Sequence, residues 1–121
     1  MFELTVSSYF SGAHRLRGYK GKCENLHGHN WKVDVTVGGD IDRSGMVIDF
    51  GILKGALEQV LSKLDHRYLN DIGYFKKVNP SSENAALYIF RQLEKKLKTY
   101  NVTVKKVTVW ENEKQCASYF E

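Results

Sequence analysis

Residues 2–10 and 31–37 alternate between apolar and polar side chains. A period of two predicts two β-strands, each with one buried face. Residues 11–25 between them contain glycines at three positions and several basic side chains, which favours a loop. Gly38, Gly39 and Asp40 then end the second strand.

A helical period replaces this alternation in the middle of the chain. Asp49 is a candidate N-cap for a first helix, whose apolar positions continue until the helix ends near residues 65–66. Residues 79–83 combine a proline, two serines and a glutamate, which is typical of a helix start. The apolar stripe of this second helix extends to about Tyr100.

The remaining segments carry shorter patterns. We predict a short extended piece at 46–48, a packed connection at 67–79, a third strand at 102–110 whose apolar parity shifts between Val104 and Val107, a turn at 111–114 and a fourth strand at 116–120. The element order is then ββααββ in one domain, residues 1–121. This order predicts an α+β fold with a four-stranded antiparallel sheet and two helices on one face. Such a sheet has two free edges, so we expect the chain to self-associate.

Composition and charge restrict the function only mildly. Hydrophobic residues make up 42% and charged residues 26%, as in an ordinary globular domain. No apolar run approaches the length of about 20 residues that spans a membrane, and no signal peptide is recognisable, so we expect a cytoplasmic protein with reduced cysteines. The net charge of +4 suits either a solvated helix face, a nucleic-acid partner or an anionic small substrate. The basic loop of Arg15, Arg17, Lys20 and Lys22 is either solvated or an electropositive collar for a phosphate group.

Three of the four histidines share a strand face. His27 and His29 have the parity of Trp31, and His14 has the parity of Phe10, so all three imidazoles are expected on the covered face. Three histidines around an open position form a catalytic zinc site. Cys23 is either a fourth ligand, which would close the site, or an unbound thiol that acts as a base.

Two further groups are candidates for chemistry. Asp65 and His66 lie at the end of the first helix, where either an acid/base pair or a solvated helix end fits the spacing. Glu111 continues the period-two count of Val107 and Val109, which places its carboxylate toward the covered face. A partly buried carboxylate needs a partner, either a cationic side chain or a ligand with paired N–H donors.

Six motifs together resemble the 6-pyruvoyl-tetrahydropterin synthase / 6-carboxy-tetrahydropterin synthase family over essentially the whole chain. The motifs occupy residues 10–14, 23–30, 47–50, 64–70, 79–84 and 109–111. Gly12 and Ser81 stand where alanine and threonine are expected, and neither change removes a chemical group that the family's mechanism needs.

The resemblance implies a fold, a reaction and a set of site residues. The fold is the tunnelling fold, in which three subunits close a twelve-stranded barrel and two such rings stack into a hexamer. The implied zinc ligands are His14, His27 and His29; the implied catalytic residues are Cys23, Asp65 and His66; the implied substrate-binding residues are Glu111, Ser81, Ser82 and Glu83. Cys23 would be the base, and Asp65 and His66 would complete the catalytic group across a subunit boundary.

The spacing Cys-x3-His-Gly-His is typical of the family's 6-carboxy enzymes, which belong to the queuosine pathway. The implied reaction converts 7,8-dihydroneopterin triphosphate into 6-carboxy-5,6,7,8-tetrahydropterin, acetaldehyde and triphosphate. The alternative within the family is a 6-pyruvoyl-tetrahydropterin synthase of the biopterin pathway. A third hypothesis, from another class, is a zinc-stabilised RNA-binding module without catalytic activity, which the lack of an exposed aromatic-and-basic strand motif disfavours. We therefore expect a pterin substrate and further copies of the chain as partners, and neither nucleic acid nor membrane.

Overall fold

Two long antiparallel strands form the centre of the fold in the computed structural model, which describes residues 1–21 and 25–121. The elements are β1 (Phe2–His14), β2 (His27–Gly39), α1 (Phe50–Ser62), β3 (Arg67–Tyr68), a 3-10 turn (Leu69–Asp71), α2 (Gly73–Lys77), α3 (Ser82–Lys96), β4 (Thr103–Asn112) and β5 (Gln115–Phe120). The order of strands across the sheet is β3-β1-β2-β4-β5. This confirms the α+β class, although the described elements differ in number from those predicted.

The first strand is longer than its sequence predicts. Residues 11–14, which we assigned to the loop, continue the β1–β2 ladder without a shift from Phe2↔Gly39 to His14↔His27. Gly12 therefore causes no bulge, and the parity argument for His14 is valid. The indole Nε1–H of Trp31 donates to the Gly12 carbonyl at 3.1 Å, which holds the glycine in the sheet.

A short parallel strand adds to the predicted sheet of four antiparallel strands. Arg67 of β3 pairs with Gly12 of β1, so the described sheet has five strands. The chain reaches this edge because His66 takes a left-handed backbone conformation, with φ of 57°. The N–H of His66 then donates to the Ser11 carbonyl at 2.6 Å. No periodicity marks a two-residue strand, which is why the sequence pattern missed it.

The helices begin as predicted and end earlier. Asp49 caps α1 by accepting from the Gly51 N–H, and Ser81 caps α3 by accepting from the Asn84 N–H. The connection at 67–79 contains an additional short helix, α2, whose Phe75 side chain is fully buried. Residues 46–48, predicted as extended, form bends outside the sheet.

The strand β4, which is the third of the predicted strands, contains the predicted irregularity. Its register against β2 shifts between Thr36 and Val37, because Lys106 pairs with Thr36 and Val104 pairs with Val37. One residue is therefore inserted as a bulge. The strand extends to Asn112, so Glu111 lies within the sheet rather than in the turn.

The core lies between one sheet face and the two long helices. Most of its fully buried side chains come from β2, β4, α1 and α3, and they include Trp31, Val33, Val35, Leu53, Leu57, Ile89, Phe90, Val107 and Val109. Paired hydroxyl groups, such as Thr5 with Thr36 and Thr108 with Ser118, lie on the opposite face. In the subunit the sheet is open, with edges at β3 and β5; its closure into a barrel stays a prediction. Among the described residues, no helix is long and apolar enough to span a membrane.

Candidate metal and substrate site

Three imidazoles meet where β1 ends and β2 begins. His14 and His27 are the last cross-strand pair, and His29 follows two residues later on the same face. One ring nitrogen from each of the three side chains lies within 4.8 Å of the others. The Nε2 atoms of His14 and His27 are 2.9 Å apart. The strand register therefore brings together the three residues predicted as metal ligands.

The hydrogen bonds around the cluster leave the facing Nε2 atoms of His14 and His27 without a proton. The Nδ1–H of His14 donates to the Pro80 carbonyl at 2.6 Å, and the Nδ1–H of His27 donates to the Asn25 carbonyl at 2.7 Å. With Nδ1 protonated on both neutral rings, the two facing Nε2 atoms are both acceptors. In the described part of the chain, the buried Nε2 of His29 also has no hydrogen-bond partner. A cation bound by all three nitrogens would satisfy these lone pairs, so the residues fit a metal ion.

Burial favours the metal-binding form of His14 and of His29. Burial lowers the pKa of His14, an effect that the neighbouring His27 and His29 add to and that the bond to Pro80 opposes. Burial also lowers the pKa of His29 against the opposing charge of Glu111. Both imidazoles are therefore favoured in the neutral form, whose lone pair coordinates a metal.

Trp31 forms the floor beneath the histidines. Its ring is fully buried and packs edge-on against His14 and His29, with centroids 4.8 and 5.2 Å apart. Phe10 stacks on the same indole at 5.5 Å. The contact with Trp31 restricts the rotation of the His14 and His29 rings. The strand alternation could have identified Trp31 as part of the site, because it lies on the same strand face as His29.

Glu111 lies beside the histidine cluster at the edge of a small cavity. Its Oε2 is 3.9 Å from the Nε2 of His29, and its Oε1 accepts from the Ser82 hydroxyl at 2.6 Å. Burial raises the pKa of Glu111, but the bond from Ser82 and the nearby imidazoles of His29 and His14 outweigh it, so the pKa is below its usual value. An ionised carboxylate is thus held ready to accept hydrogen bonds.

The other predicted substrate residues divide into two groups. Ser82 and Glu83 line the cavity of about 220 Å³ that also contains Glu111, together with Gln115 on β5. Gln115 donates weakly to Glu111 at 3.4 Å, a contact that our sequence analysis missed. Ser81 is not among the residues lining this cavity, since its hydroxyl caps α3.

Asp65 and His66 form a close pair beside β1. The Oδ2 of Asp65 lies 3.0 Å from Nδ1 of His66, and its Oδ1 accepts from the Ser11 N–H at 2.8 Å. The Ser11 bond, followed by the neighbouring His66, lowers the pKa of Asp65. The ring of His66 is 81% exposed, so its Nε2 is open to a reacting group.

A cavity of about 480 Å³ is lined both by His66 and by residues of β2, the strand that carries His27 and His29. Its lining residues include His66 and Arg67 on one side and His29 and Asn30 on the other. Cys23, the predicted base, lies outside the described residues. The structure therefore places His66 on the same cavity as His29, and Asp65 beside Ser11 of β1.

Two asparagines hold the loop that follows His14, and our sequence analysis did not identify this role for either of them. Asn70 accepts from the Arg15 N–H and donates to the Arg15 carbonyl, both at 2.9 Å. Asn79 makes the same pair of bonds to Arg17, at 2.9 and 2.8 Å. The guanidinium of Arg17 donates to the carbonyls of Phe75 and Val78. Arg17 therefore fixes the connection, which weakens the hypothesis that it belongs to an anion-binding collar.

These features define an α+β protein that combines a three-histidine metal site with a carboxylate-lined cavity. A model of the 6-pyruvoyl tetrahydropterin synthase family matches residues 3–121. The chain is 41% identical to a protein of Archaeoglobus fulgidus described as a putative 6-carboxy-5,6,7,8-tetrahydropterin synthase, over 93% of this chain and 90% of that protein. It is 39% identical to the human 6-pyruvoyl tetrahydrobiopterin synthase, over 93% of this chain and 79% of the human one.

A solved structure has the same fold. The 6-pyruvoyl tetrahydropterin synthase of Caenorhabditis elegans superposes with a TM-score of 0.90 at 34% identity, covering 99% of this chain and 95% of that chain. The chain therefore belongs to the 6-pyruvoyl tetrahydropterin synthase family, as its motifs indicated.

Proposed function

We propose that the protein is a zinc-dependent lyase that converts 7,8-dihydroneopterin triphosphate and one water molecule into 6-carboxy-5,6,7,8-tetrahydropterin, acetaldehyde and triphosphate. The observation that carries this proposal is the cluster of His14, His27 and His29, whose ring nitrogens lie within 4.8 Å of one another beside the ionised Glu111. The 41% identity to the Archaeoglobus protein and the Cys-x3-His-Gly-His spacing favour the 6-carboxy product.

We assign one role to the three histidines and another to the residues around Glu111. His14, His27 and His29 would hold the zinc ion, which when bound supplies a Lewis acid for the hydroxyl groups of the substrate side chain. Glu111 would accept hydrogen bonds from the paired N–H groups of the pterin ring. Ser82 keeps that carboxylate in place, and Glu83 and Ser81 lie on the same turn of α3.

Proton transfer would involve groups on both sides of the substrate side chain. Cys23 would act as the base on one side. His66 would donate or accept a proton at its Nε2 on the other side, since its Nδ1–H is held by Asp65. We infer that His66 serves the metal centre of a neighbouring subunit, in a hexamer of two stacked trimeric rings.

Product analysis tests this assignment. Purified, zinc-loaded protein should convert 7,8-dihydroneopterin triphosphate into the 6-carboxy product, identified by mass spectrometry. Cys23→Ala should abolish turnover and retain zinc, whereas Glu111→Ala should mainly raise KM. Absence of turnover by the zinc-loaded protein would contradict the proposal.

A second candidate is the 6-pyruvoyl reaction, in which triphosphate is eliminated without cleavage of a carbon–carbon bond. The 39% identity to the human 6-pyruvoyl enzyme favours it. The same assay distinguishes the two reactions, because 6-pyruvoyl-tetrahydropterin as the sole product would support the second and exclude the first.

A further inference from the structure

We propose that Arg67 and Lys63 bind the triphosphate chain of the substrate. This inference rests on the proposed function, because that function supplies a substrate with a polyphosphate group. Such a group needs cationic partners, and a guanidinium is well suited to it because it offers paired donors in one plane.

Arg67 lies between two neighbouring cavities. It lines the cavity of about 480 Å³ that contains His66 and His29. It also lines a cavity of about 430 Å³ that contains Lys63, Tyr68 and Asp71. A substrate whose side chain contacts His66 therefore has Arg67 beside the next part of the molecule, and Lys63 beyond it. Because Arg67 directly follows His66 in the chain, the two residues stay neighbours whether His66 serves the histidine cluster of its own subunit or that of a neighbouring one.

Both cations are available for a ligand. Arg17 is engaged with the Phe75 and Val78 carbonyls, and Lys32 lies 3.8 Å from Asp34. In contrast, neither Arg67 nor Lys63 takes part in any ion pair between described residues, and both side chains are exposed.

Asp71 is the acidic residue that lines the same cavity as the two cations. It makes no ion pair with either of them. Its negative charge would oppose an anion there. Replacing Asp71 should therefore strengthen anion binding, whereas replacing Arg67 or Lys63 should weaken it.

The backbone of Arg67 is fixed relative to β1, the strand that carries His14. The residue pairs with Gly12 in the β3–β1 ladder, and the preceding N–H of His66 donates to the Ser11 carbonyl at 2.6 Å. Binding therefore has to order only the side chain of Arg67 and not its main chain, which reduces the entropic cost.

The experiment uses inorganic tripolyphosphate as the probe and isothermal titration calorimetry of the zinc-loaded, full-length protein. We expect Arg67→Gln to weaken binding about tenfold or more, as expected for the loss of a charged hydrogen-bonding partner. Lys63→Gln should weaken it less and Asp71→Asn should strengthen it. Arg43→Gln is the matched control, since Arg43 lies in the turn beyond Gly39, at the opposite end of β2 from His27.

Tripolyphosphate affinity in Arg67→Gln equal to that in Arg43→Gln would overturn the inference. Steady-state kinetics separate it from the proposed function: Arg67→Gln should raise KM with little change in kcat. Tripolyphosphate binding that depends on Arg67, in a protein that makes no pterin product, would reject the function and keep the anion site. Normal turnover with an unchanged KM in Arg67→Gln would reject the anion site and keep the function.

Discussion

Replacing Trp31 by phenylalanine is expected to reduce the stability of the fold and weaken the metal site together. The indole Nε1–H donates to the buried Gly12 carbonyl at 3.1 Å. Leaving that acceptor without a partner costs about 1–3 kcal/mol. Phenylalanine also has about three fewer heavy atoms, and the unfilled space costs about 1–2 kcal/mol more. We therefore expect a total loss of about 3 kcal/mol in the free energy of unfolding.

Urea denaturation of the metal-free protein, followed by circular dichroism, measures this loss without the contribution of bound zinc. Trp110→Phe is the control: its indole also donates a hydrogen bond, to Asp34 Oδ2 at 2.9 Å, but it is only partly buried. Water can replace that bond, so the control should lose about 1 kcal/mol or less. A loss in Trp31→Phe no larger than in Trp110→Phe would refute the reasoning.

The same variant should bind zinc more weakly, because the indole packs against His14 and His29 and limits their rotation. Loss of a group that orients metal ligands typically costs about tenfold or more in affinity. Competition with a chromophoric chelator measures the affinity. An unchanged zinc affinity would mean that the floor contributes only to stability.

Three further predictions concern the zinc ligand His14, the loop held by Asn70 and the carboxylate of Asp65. His14→Ala should lose most of its zinc in elemental analysis, whereas His66→Ala should retain it; equal zinc contents would contradict the ligand assignment. Asn70→Ala should lose about 2–4 kcal/mol in urea denaturation, because both bonds to the Arg15 main chain are part-buried, while Asn112→Ala, which loses one exposed bond to Lys114, should lose about 1 kcal/mol or less. Because the pKa of Asp65 is lowered in the folded state, its contribution to stability is present above the ordinary carboxyl value of 3.8 and is lost as the pH falls through the lower folded pKa. Asp65→Asn should therefore lose less stability on acidification below that value than Asp71→Asn does, and parallel acid profiles would argue against this.

The sequence predicted the parts of the structure that depend on periodicity. Strand alternation placed His14, His27 and His29 on one covered face, and the parity shift near Val104 located the bulge of β4. Caps at Asp49 and Ser81 located the helix starts. These features are local, so the residues that specify them lie next to one another in the chain.

What the sequence could not provide depends on contacts between distant segments. The orientation of His14 depends on a carbonyl 66 positions away, and the loop after it depends on Asn70. The strand β3 exists because His66 takes a left-handed conformation and bonds to Ser11. None of these contacts follows a repeat or a composition signal, so only the folded structure identifies them.

The two carbonyls that orient His14 and His27 have a consequence for how this site can change. Most metal-binding imidazoles are held by carboxylates, carbonyls or water, and a carboxylate can be lost by a single substitution. Here the acceptors are the main-chain oxygens of Pro80 and Asn25. Replacement of either side chain leaves its carbonyl in place. The orientation of the ligands is therefore protected against point mutation at those positions, and insertions or deletions in the two loops are the changes to which the metal site is most vulnerable.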